Sequence, residues 1–294
     1  MAIGLFSRRL QQLEVDIKEE KAPANNLFSQ EMPSGERGLT LAVVNQKGGV
    51  GKSTTAINLS AYLADMGHRV LLVDFDPQGN TSSGLGIDKK ALKHCIYDAV
   101  VDEKPATGIV IKTNIKNLFL IPATTQLAGA EIELVAALSR EYRLKRAIEL
   151  LKHQYEFIII DCPPSLGLLT VNALTAADEL IIPVQCEFYA LEGLSKLLES
   201  VRLVKAHLNP EIKIAGVLMT MHDIRTRISQ QVIEEVKKFF RELVYESVIP
   251  RTVRLSEAPS FGVPINRYDA ESKGAQAYQQ LAREVVERAE KRTR

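Results

Sequence analysis

A glycine-rich loop that ends in Gly-Lys-Ser is the stretch of this chain whose residue types could do chemistry. Residues 47–54 read KGGVGKST. Glycines let backbone N–H groups turn towards phosphate oxygens, and a helix that starts at the end of the loop adds its partial positive charge. In such a loop Lys52 reaches the β- and γ-phosphates, and the Ser53 hydroxyl binds Mg²⁺. The loop therefore predicts a site for a nucleoside triphosphate.

The segments on either side of the loop are those that a phosphate-binding loop needs. Residues 39–44 are an apolar run with three β-branched side chains, which predicts a buried strand. Residues 55–66 carry apolar side chains at helical spacing, and Gly67 follows as a stop signal. A Gly-Lys-Ser in a surface loop is a weak signal, but one between a strand and a helix is strong. The loop departs from the usual pattern because Gln46 stands where a glycine is expected, and Lys47 precedes the paired glycines.

Acidic residues follow two other predicted strands. Asp74 and Asp76 come directly after the apolar residues 69–73, and Asp161 follows the apolar residues 157–160. Carboxylates at the C-terminal ends of parallel strands lie at the ligand crevice of an open α/β sheet. In nucleotide hydrolases a carboxylate after an apolar strand holds Mg²⁺. The alternative is that these acids are solvated loop residues.

The spacing of apolar residues predicts an α/β fold, a doubly wound and mostly parallel sheet with helices on both faces. Strands are predicted at residues 39–44, 69–73, 118–122, 157–160, 180–184 and 212–219. Helices are predicted at residues 55–66, 91–101, 127–138, 142–153, 191–207, 225–240 and 274–291. We expect one domain over residues 39–294. Residues 1–38 are polar except for a short amphipathic pattern, and we expect a flexible extension, which is either a tail or a segment that docks elsewhere.

Composition limits the function classes. The 294 residues include 37 Lys and Arg against 36 Asp and Glu, so any nucleic-acid binding must use a local basic patch. No apolar run is long enough for a membrane span, and no secretory signal is recognised. The three cysteines, Cys95, Cys162 and Cys186, imply no disulfide framework and favour a reducing compartment. The four-cysteine runs of iron–sulfur proteins are absent, so we expect small buried side chains rather than cluster ligands.

Three motifs together resemble the ParA/MinD family of ATPases: KGGVGKST, DFDPQGN at residues 74–80, and DCPPSLG at residues 161–167. Residues 232–269 resemble the chromosome-partition branch, of ParA/Soj type. The resemblance covers about residues 40–290. It implies a P-loop ATPase domain of the SIMIBI class, with ATP and Mg²⁺ as cofactors, slow hydrolysis, and a homodimer that encloses two ATP molecules. It further implies non-specific DNA binding, a ParB/Spo0J-type centromere-binding protein as a partner that stimulates hydrolysis, and a cytoplasmic, nucleoid-associated location.

The resemblance also implies roles for single residues. Lys47 would reach the phosphates bound by the other subunit, Asp76 would orient the attacking water, and Lys52 completes the catalytic set. The implied metal ligands are Ser53, Asp74 and Asp161, with the aspartates bound directly or through water. The implied ATP-binding residues are Lys47, Gly48, Gly49, Val50, Gly51, Lys52, Ser53, Thr54, Thr220, Met221, Pro250 and Arg251. The implied DNA-binding residues are Arg225, Arg227, Arg254, Arg267 and Lys273. Each arginine could instead be a solvated charge or pair with an acid such as Glu257, Asp269 or Glu271.

Two other functions are considered. A MinD-like regulator of the division site would cycle on the membrane through a C-terminal amphipathic helix. The last predicted helix here carries a modest apolar stripe without bulky residues at its end, so membrane binding is not expected. The other function is the positioning of a different cargo, such as a plasmid or a protein cluster, by the same mechanism.

Overall fold

The computed structural model describes residues 37–187 and 190–293. The predicted extension therefore lies outside the described residues, except for its last two positions. Within the described ranges eight strands form one sheet, in the spatial order β3-β4-β2-β5-β1-β6-β7-β8. The strands are β1 (Leu39–Val43), β2 (Val70–Asp74), β3 (Ile111–Lys112), β4 (Leu118–Ile121), β5 (Phe157–Asp161), β6 (Glu179–Gln185), β7 (Lys213–His222) and β8 (Val244–Pro250). All neighbours are parallel except β3 and β4.

Helices cover both faces of this sheet. Those of the described ranges are α1 (Lys52–Asp65), α2 (Asn80–Gly84), α3 (Ile96–Val100), α4 (Leu127–Glu133), α5 (Arg143–Glu149), α6 (Leu168–Ala176), α7 (Ala190–His207), α8 (Arg227–Phe240), α9 (Val253–Glu257), α10 (Ile265–Tyr268) and α11 (Lys273–Thr293). Successive residues of β1 alternate between two hydrophobic cores, with Leu41 and Val43 in one and Ala42 in the other. Because both faces are covered, the strands are apolar throughout. The predicted doubly wound α/β fold is confirmed.

The six predicted strands are present as β1, β2, β4, β5, β6 and β7. The sequence pattern missed β3, which has only two residues, and β8 at the edge of the sheet, whose sequence VYESVIP neither alternates nor forms a continuous apolar run. It also missed α6, because LLTVNALTA is apolar on almost every side and has no helical period. Several predicted helices are shorter than expected, since α3 begins at Ile96 and α5 ends at Glu149.

The C-terminal helix α11 is tied to the sheet along its apolar stripe. The stripe residues are at most 3% exposed and comprise Ala275, Tyr278, Leu281, Ala282 and Val285. The Arg288 guanidinium donates hydrogen bonds to the carbonyl oxygens of Ala215 (2.9 Å) and Val244 (3.1 Å) and lies 4.2 Å from the Tyr245 ring centre. The stripe is therefore used for packing inside the chain. Within the described residues, no helix is both long and apolar enough to cross a membrane.

We expect Arg288→Ala to lower the free energy of unfolding by about 1–3 kcal/mol, because it leaves partly buried carbonyl oxygens without their charged donor. Urea unfolding followed by circular dichroism measures the change. Arg283→Ala is the matched control, since Arg283 is exposed on the same helix. An equal effect of both substitutions would contradict this account of how α11 is held.

Candidate active site

The glycine loop runs from the end of β1 to the first residue of α1. Gly49 and Gly51 have φ angles of 73° and 90°, in the left-handed region that a residue without Cβ adopts at no steric cost. The Asn45 side chain accepts a hydrogen bond from the Lys47 amide (2.9 Å) and donates one to the Pro183 carbonyl (2.7 Å). These contacts fix the start of the loop to β6.

The far side of the loop is fixed to β7. The Thr220 hydroxyl donates to the Val50 carbonyl at 2.9 Å. The Gln185 amide donates to the Gly49 carbonyl at 3.0 Å. The carbonyl oxygens of Gly49 and Val50 are thus bound from outside the loop.

Lys52 is the buried cation of the site, with 6% of the residue exposed. Its ammonium donates to the Lys47 carbonyl at 3.1 Å. Burial lowers the pKa of Lys52, and the charges of Asp161 and Asp76 oppose that shift. A desolvated ammonium with one carbonyl partner can still interact strongly with a polyanion.

A pocket of about 850 Å³ opens above the loop. Its lining includes most of the predicted ATP-binding residues: Gly48, Gly49, Gly51, Lys52, Ser53, Thr54, Thr220, Met221, Pro250 and Arg251. Val50 is buried beneath the loop. Lys47 is not among the lining residues and lies beside Glu187, as described below. The loop forms one end of the pocket, and the ends of β7 and β8 form the other.

Among the three strand-end aspartates, Asp161 has the surroundings best suited to binding a cation. One of its oxygens, Oδ2, accepts a hydrogen bond from the Thr81 hydroxyl at 2.7 Å. The other, Oδ1, is buried and makes no well-formed hydrogen bond to the described residues, although the Ser53 hydroxyl lies close enough to the carboxylate to oppose the rise of its pKa. Burial, together with the neighbouring charge of Asp74, raises the pKa of Asp161 to about 7. An unsatisfied buried carboxylate oxygen is costly, and a bound cation would remove that cost.

Asp74 lies directly beside Asp161 in the β2–β5 register, but its oxygens are already used. Oδ2 accepts from the Ser82 amide (2.8 Å) and from the Ser82 hydroxyl (2.7 Å). Burial raises the pKa of Asp74 to about 6. The geometry favours Asp161 over Asp74 as the residue that faces a metal, and the metal role of Asp74 stays a prediction.

The donor set suits Mg²⁺. Among the described residues, no group of three or more His, Cys, Asp and Glu side chains could hold a metal ion. Mg²⁺ is usually held by one or two protein oxygens together with substrate phosphates and waters. Ser53 in the pocket wall and Asp161 beside it match that pattern.

Asp76 also faces the pocket and is 5% exposed. Its Oδ1 accepts a hydrogen bond from the Gln78 amide at 2.9 Å. The Lys89 ammonium donates to the Gln78 carbonyl (2.8 Å) and the Gly79 carbonyl (3.3 Å), which holds the same loop from outside. Sequence reasoning missed Lys89, Thr81 and Ser82, because no motif links them to the acids that they support.

Lys47 and Arg251 are linked through a residue that sequence reasoning did not select. The Glu187 carboxylate lies 3.6 Å from the Lys47 ammonium and 3.0 Å from the Arg251 guanidinium. Glu187 thus links the predicted catalytic lysine to the predicted base-binding end of the pocket.

The five predicted DNA-binding residues are all exposed, but three are held by acids of the same chain. The pairs are Arg225 with Asp223 (2.7 Å), Arg254 with Glu257 (3.2 Å) and Asp269 (3.3 Å), and Arg267 with Asp65 (3.1 Å). Arg227 and Lys273 have no ion pair with any residue in the described ranges. The arginines therefore do not form one patch of free charge.

The cysteines give no support to a cluster site. Cys95, Cys162 and Cys186 are buried free thiols, each at most 1% exposed. Burial raises the pKa of the Cys186 thiol to about 12. The three cysteines are therefore best described as buried, unreactive thiols.

Comparison with known proteins identifies close relatives. The AAA domain family matches residues 38–214. The sporulation initiation inhibitor protein Soj of Bacillus subtilis (strain 168) is 63% identical over 249 residues, which cover 85% of this chain and 98% of that protein. The chromosome partitioning protein ParA of Myxococcus xanthus (strain DK1622) is 52% identical over 259 residues, which cover 86% and 92%.

A solved structure has a similar fold and binds a nucleotide and magnesium. Cobyrinic acid a,c-diamide synthase from Mycobacterium smegmatis, solved with bound ADP and magnesium, superposes with a TM-score of 0.76. It is 39% identical, and the match covers 87% of this chain and 97% of that one. The fold, the three motifs and these relatives agree, and the chain belongs to the ParA/Soj family of chromosome-partitioning ATPases.

Proposed function

We propose that this chain is a DNA-partition ATPase that binds Mg²⁺ and ATP, dimerises on ATP, and binds DNA without sequence preference. A ParB/Spo0J-type centromere-binding protein would stimulate its slow hydrolysis and so release it. The observation that carries the proposal is one pocket lined by the phosphate loop and Asp76, with the buried Oδ1 of Asp161 next to the pocket-lining Ser53. The relatives named Soj and ParA support the partition role, and the neighbour crystallised with ADP and magnesium supports the cofactors. The proposed location is cytoplasmic and nucleoid-associated.

At the phosphate end, this chain supplies positive charge and directed amides. Lys52 compensates the charge of the β- and γ-phosphates, and the first turn of α1 contributes its amide groups. Ser53 and Asp161 would hold Mg²⁺, which when bound neutralises charge on the phosphate oxygens.

Asp76 is proposed to orient the water that attacks the γ-phosphate. It is buried, it lines the pocket, and its loop is held by Lys89 on one side and by Asp74 on the other. A carboxylate held this firmly costs little to align in the transition state.

The base end is proposed to bind adenine through Thr220, Met221, Pro250 and Arg251. Thr220 and Met221 lie near the end of β7, Pro250 is the last residue of β8, and Arg251 follows it. All four line the same pocket as the phosphate loop. Met221 has a φ of 52°, which is unusual for a residue with a side chain and matches a tight turn at the end of the strand.

DNA binding is proposed to need the dimer because one subunit carries little net positive charge. The chain has a formal net charge of +1. Joining two copies doubles the number of lysines and arginines that contact phosphates, and this raises electrostatic affinity steeply. ATP would thereby control DNA binding.

Partition is favoured over a membrane cycle by the packing of α11. Its apolar residues contact the sheet and are buried, whereas an interfacial anchor needs an exposed apolar face. The names of the relatives favour the chromosome as cargo over a plasmid or a protein cluster.

We expect Asp76→Asn to bind ATP normally and to hydrolyse it about 10²-fold more slowly or worse, since the amide keeps the loop hydrogen bond but lacks the negative charge and the second acceptor oxygen that orient the water. Equilibrium binding of ATP and the rate of phosphate release measure the two effects. Loss of ATP binding would instead make Asp76 structural. Hydrolysis at the normal rate would remove it from the chemistry.

We expect Gly48→Val to bind ATP as a monomer and to fail to dimerise. Within the subunit a Cβ at Gly48 meets only the Pro164 side chain, at 3.9 Å, so the new side chain points into open space. In the proposed dimer that space belongs to the other subunit. Analytical ultracentrifugation with a slowly hydrolysed ATP analogue tests this, and Gly48→Ala provides a smaller side chain for comparison. A normal dimer in the valine variant would place the interface elsewhere.

We expect the double variant Arg227→Ala, Lys273→Ala to weaken binding of the ATP-bound dimer to all duplexes alike, because free cations contact phosphates without reading bases. The slope of log affinity against log salt should become shallower by about one unit for each phosphate that the variant no longer neutralises. Arg283→Ala removes a charge elsewhere and serves as the control. Unchanged DNA binding by the double variant would show that Arg227 and Lys273 are not part of the DNA-binding surface.

A further inference from the structure

Glu187 joins two charged residues that the proposed mechanism uses separately. Its two carboxylate oxygens are divided between them, with Oε1 on Arg251 at 3.0 Å and Oε2 on Lys47 at 3.6 Å. The side chain of Glu187 is 45% exposed, and those of its partners are 34% and 59% exposed for Lys47 and Arg251. The three side chains therefore form a partly exposed charged bridge between the start of the phosphate loop and Arg251 in the pocket wall.

The backbones that carry this bridge are fixed. The Lys47 amide donates to Asn45 and the Lys47 carbonyl accepts from Lys52, so only the Lys47 side chain is free to move. The Arg251 amide donates to the His222 carbonyl at 2.9 Å, directly after β8. Arg251 thus anchors the Glu187 carboxylate, and the carboxylate sets the direction of the Lys47 ammonium.

We propose that Glu187 is a positioning residue that holds Lys47 in its own subunit and must release it before two copies of the chain close over nucleotide. The inference rests on the proposed ATP-dependent dimer and on the role that the family resemblance implies for Lys47, contact with the phosphates of the other subunit. Glu187 competes with those phosphates for the same ammonium. Because the bridge is exposed and weakened by salt, phosphates can displace it.

The electrostatics give the sign of the effect. With Glu187 present, the three side chains carry a net charge of +1. Without its carboxylate they carry a net charge of +2, which attracts a polyanion more strongly. Removal of the carboxylate therefore frees Lys47 and favours the closed dimer. A general gain of positive charge would also favour the closed dimer. The experiment must therefore show whether the effect depends on Lys47.

The test is a double-mutant cycle on the full chain, made of wild type, Glu187→Gln, Lys47→Ala and both together. The readout is the concentration of a slowly hydrolysed ATP analogue that gives half-maximal dimer in analytical ultracentrifugation. Glu187→Gln should lower it by roughly two- to tenfold, the range expected for a pair of exposed ion pairs. Glu211→Gln, at an exposed acid away from the pocket, should leave it unchanged.

The cycle decides between the two explanations. If Glu187→Gln loses at least half of its effect in the Lys47→Ala background, and the effect shrinks at high salt, the restraint is supported. Equal effects of Glu187→Gln in both backgrounds would show that only the general charge matters and would overturn the inference. Weaker dimerisation of Glu187→Gln would also overturn it. Normal dimerisation by Lys47→Ala alone would be a failure of the proposed function, and the cycle reports it separately.

Discussion

The pairing of β5 with β2 on one side and with β1 on the other is the constraint on which the site depends. The ladder sets Asp161 beside Asp74 and also beside Val43, the last residue of the strand that leads into the glycine loop. Because all three strands are parallel, their C-terminal ends lie at one edge of the sheet. A shift of one residue in either pair would turn the carboxylates into the core faces and away from the loop. The apolar side chains that fill both cores hold that register.

The site that results is electrostatically incomplete without a ligand. Lys52, Asp74 and Asp161 are all buried, and burial disfavours the charged form of each. Hydrogen bonds from Ser82 satisfy Asp74, whereas one oxygen of Asp161 makes no well-formed hydrogen bond to the described residues. A polyanion bound together with a divalent cation would supply both missing counter-charges. The energetic cost of burying these groups is thus recovered on binding, which is typical of functional sites.

Local sequence determined the parts that could be predicted. The glycine loop, its flanking strand and helix, and the strand-end aspartates depend on residues adjacent in the chain. The pairs that were missed depend on distant residues. Arg267 pairs with Asp65, which lies 202 positions away in the sequence, and Arg251 pairs with Glu187, 64 positions away. No periodicity encodes such pairs. Pairing with Glu257 or Asp269 is the alternative to DNA contact that the sequence leaves open, and Arg254 does pair with both acids.

The pocket also joins two regions of the chain that the family comparison separates. The AAA domain match ends at residue 214 and includes the phosphate loop and its acids, whereas Thr220, Met221, Pro250 and Arg251 lie beyond it. Helix α11 connects the two regions, since Tyr278 lies within hydrogen-bond distance of Thr55 in α1 (3.1 Å) while Arg288 binds carbonyls of β7 and β8. Helix α11 therefore adds to the direct contacts that Thr220 and Gln185 make with the glycine loop in holding these two regions together. The apolar face of α11 is buried inside the subunit and is therefore not available for other contacts. For that reason we expect regulation of this ATPase at the charged cluster of Lys47, Glu187 and Arg251 rather than at α11.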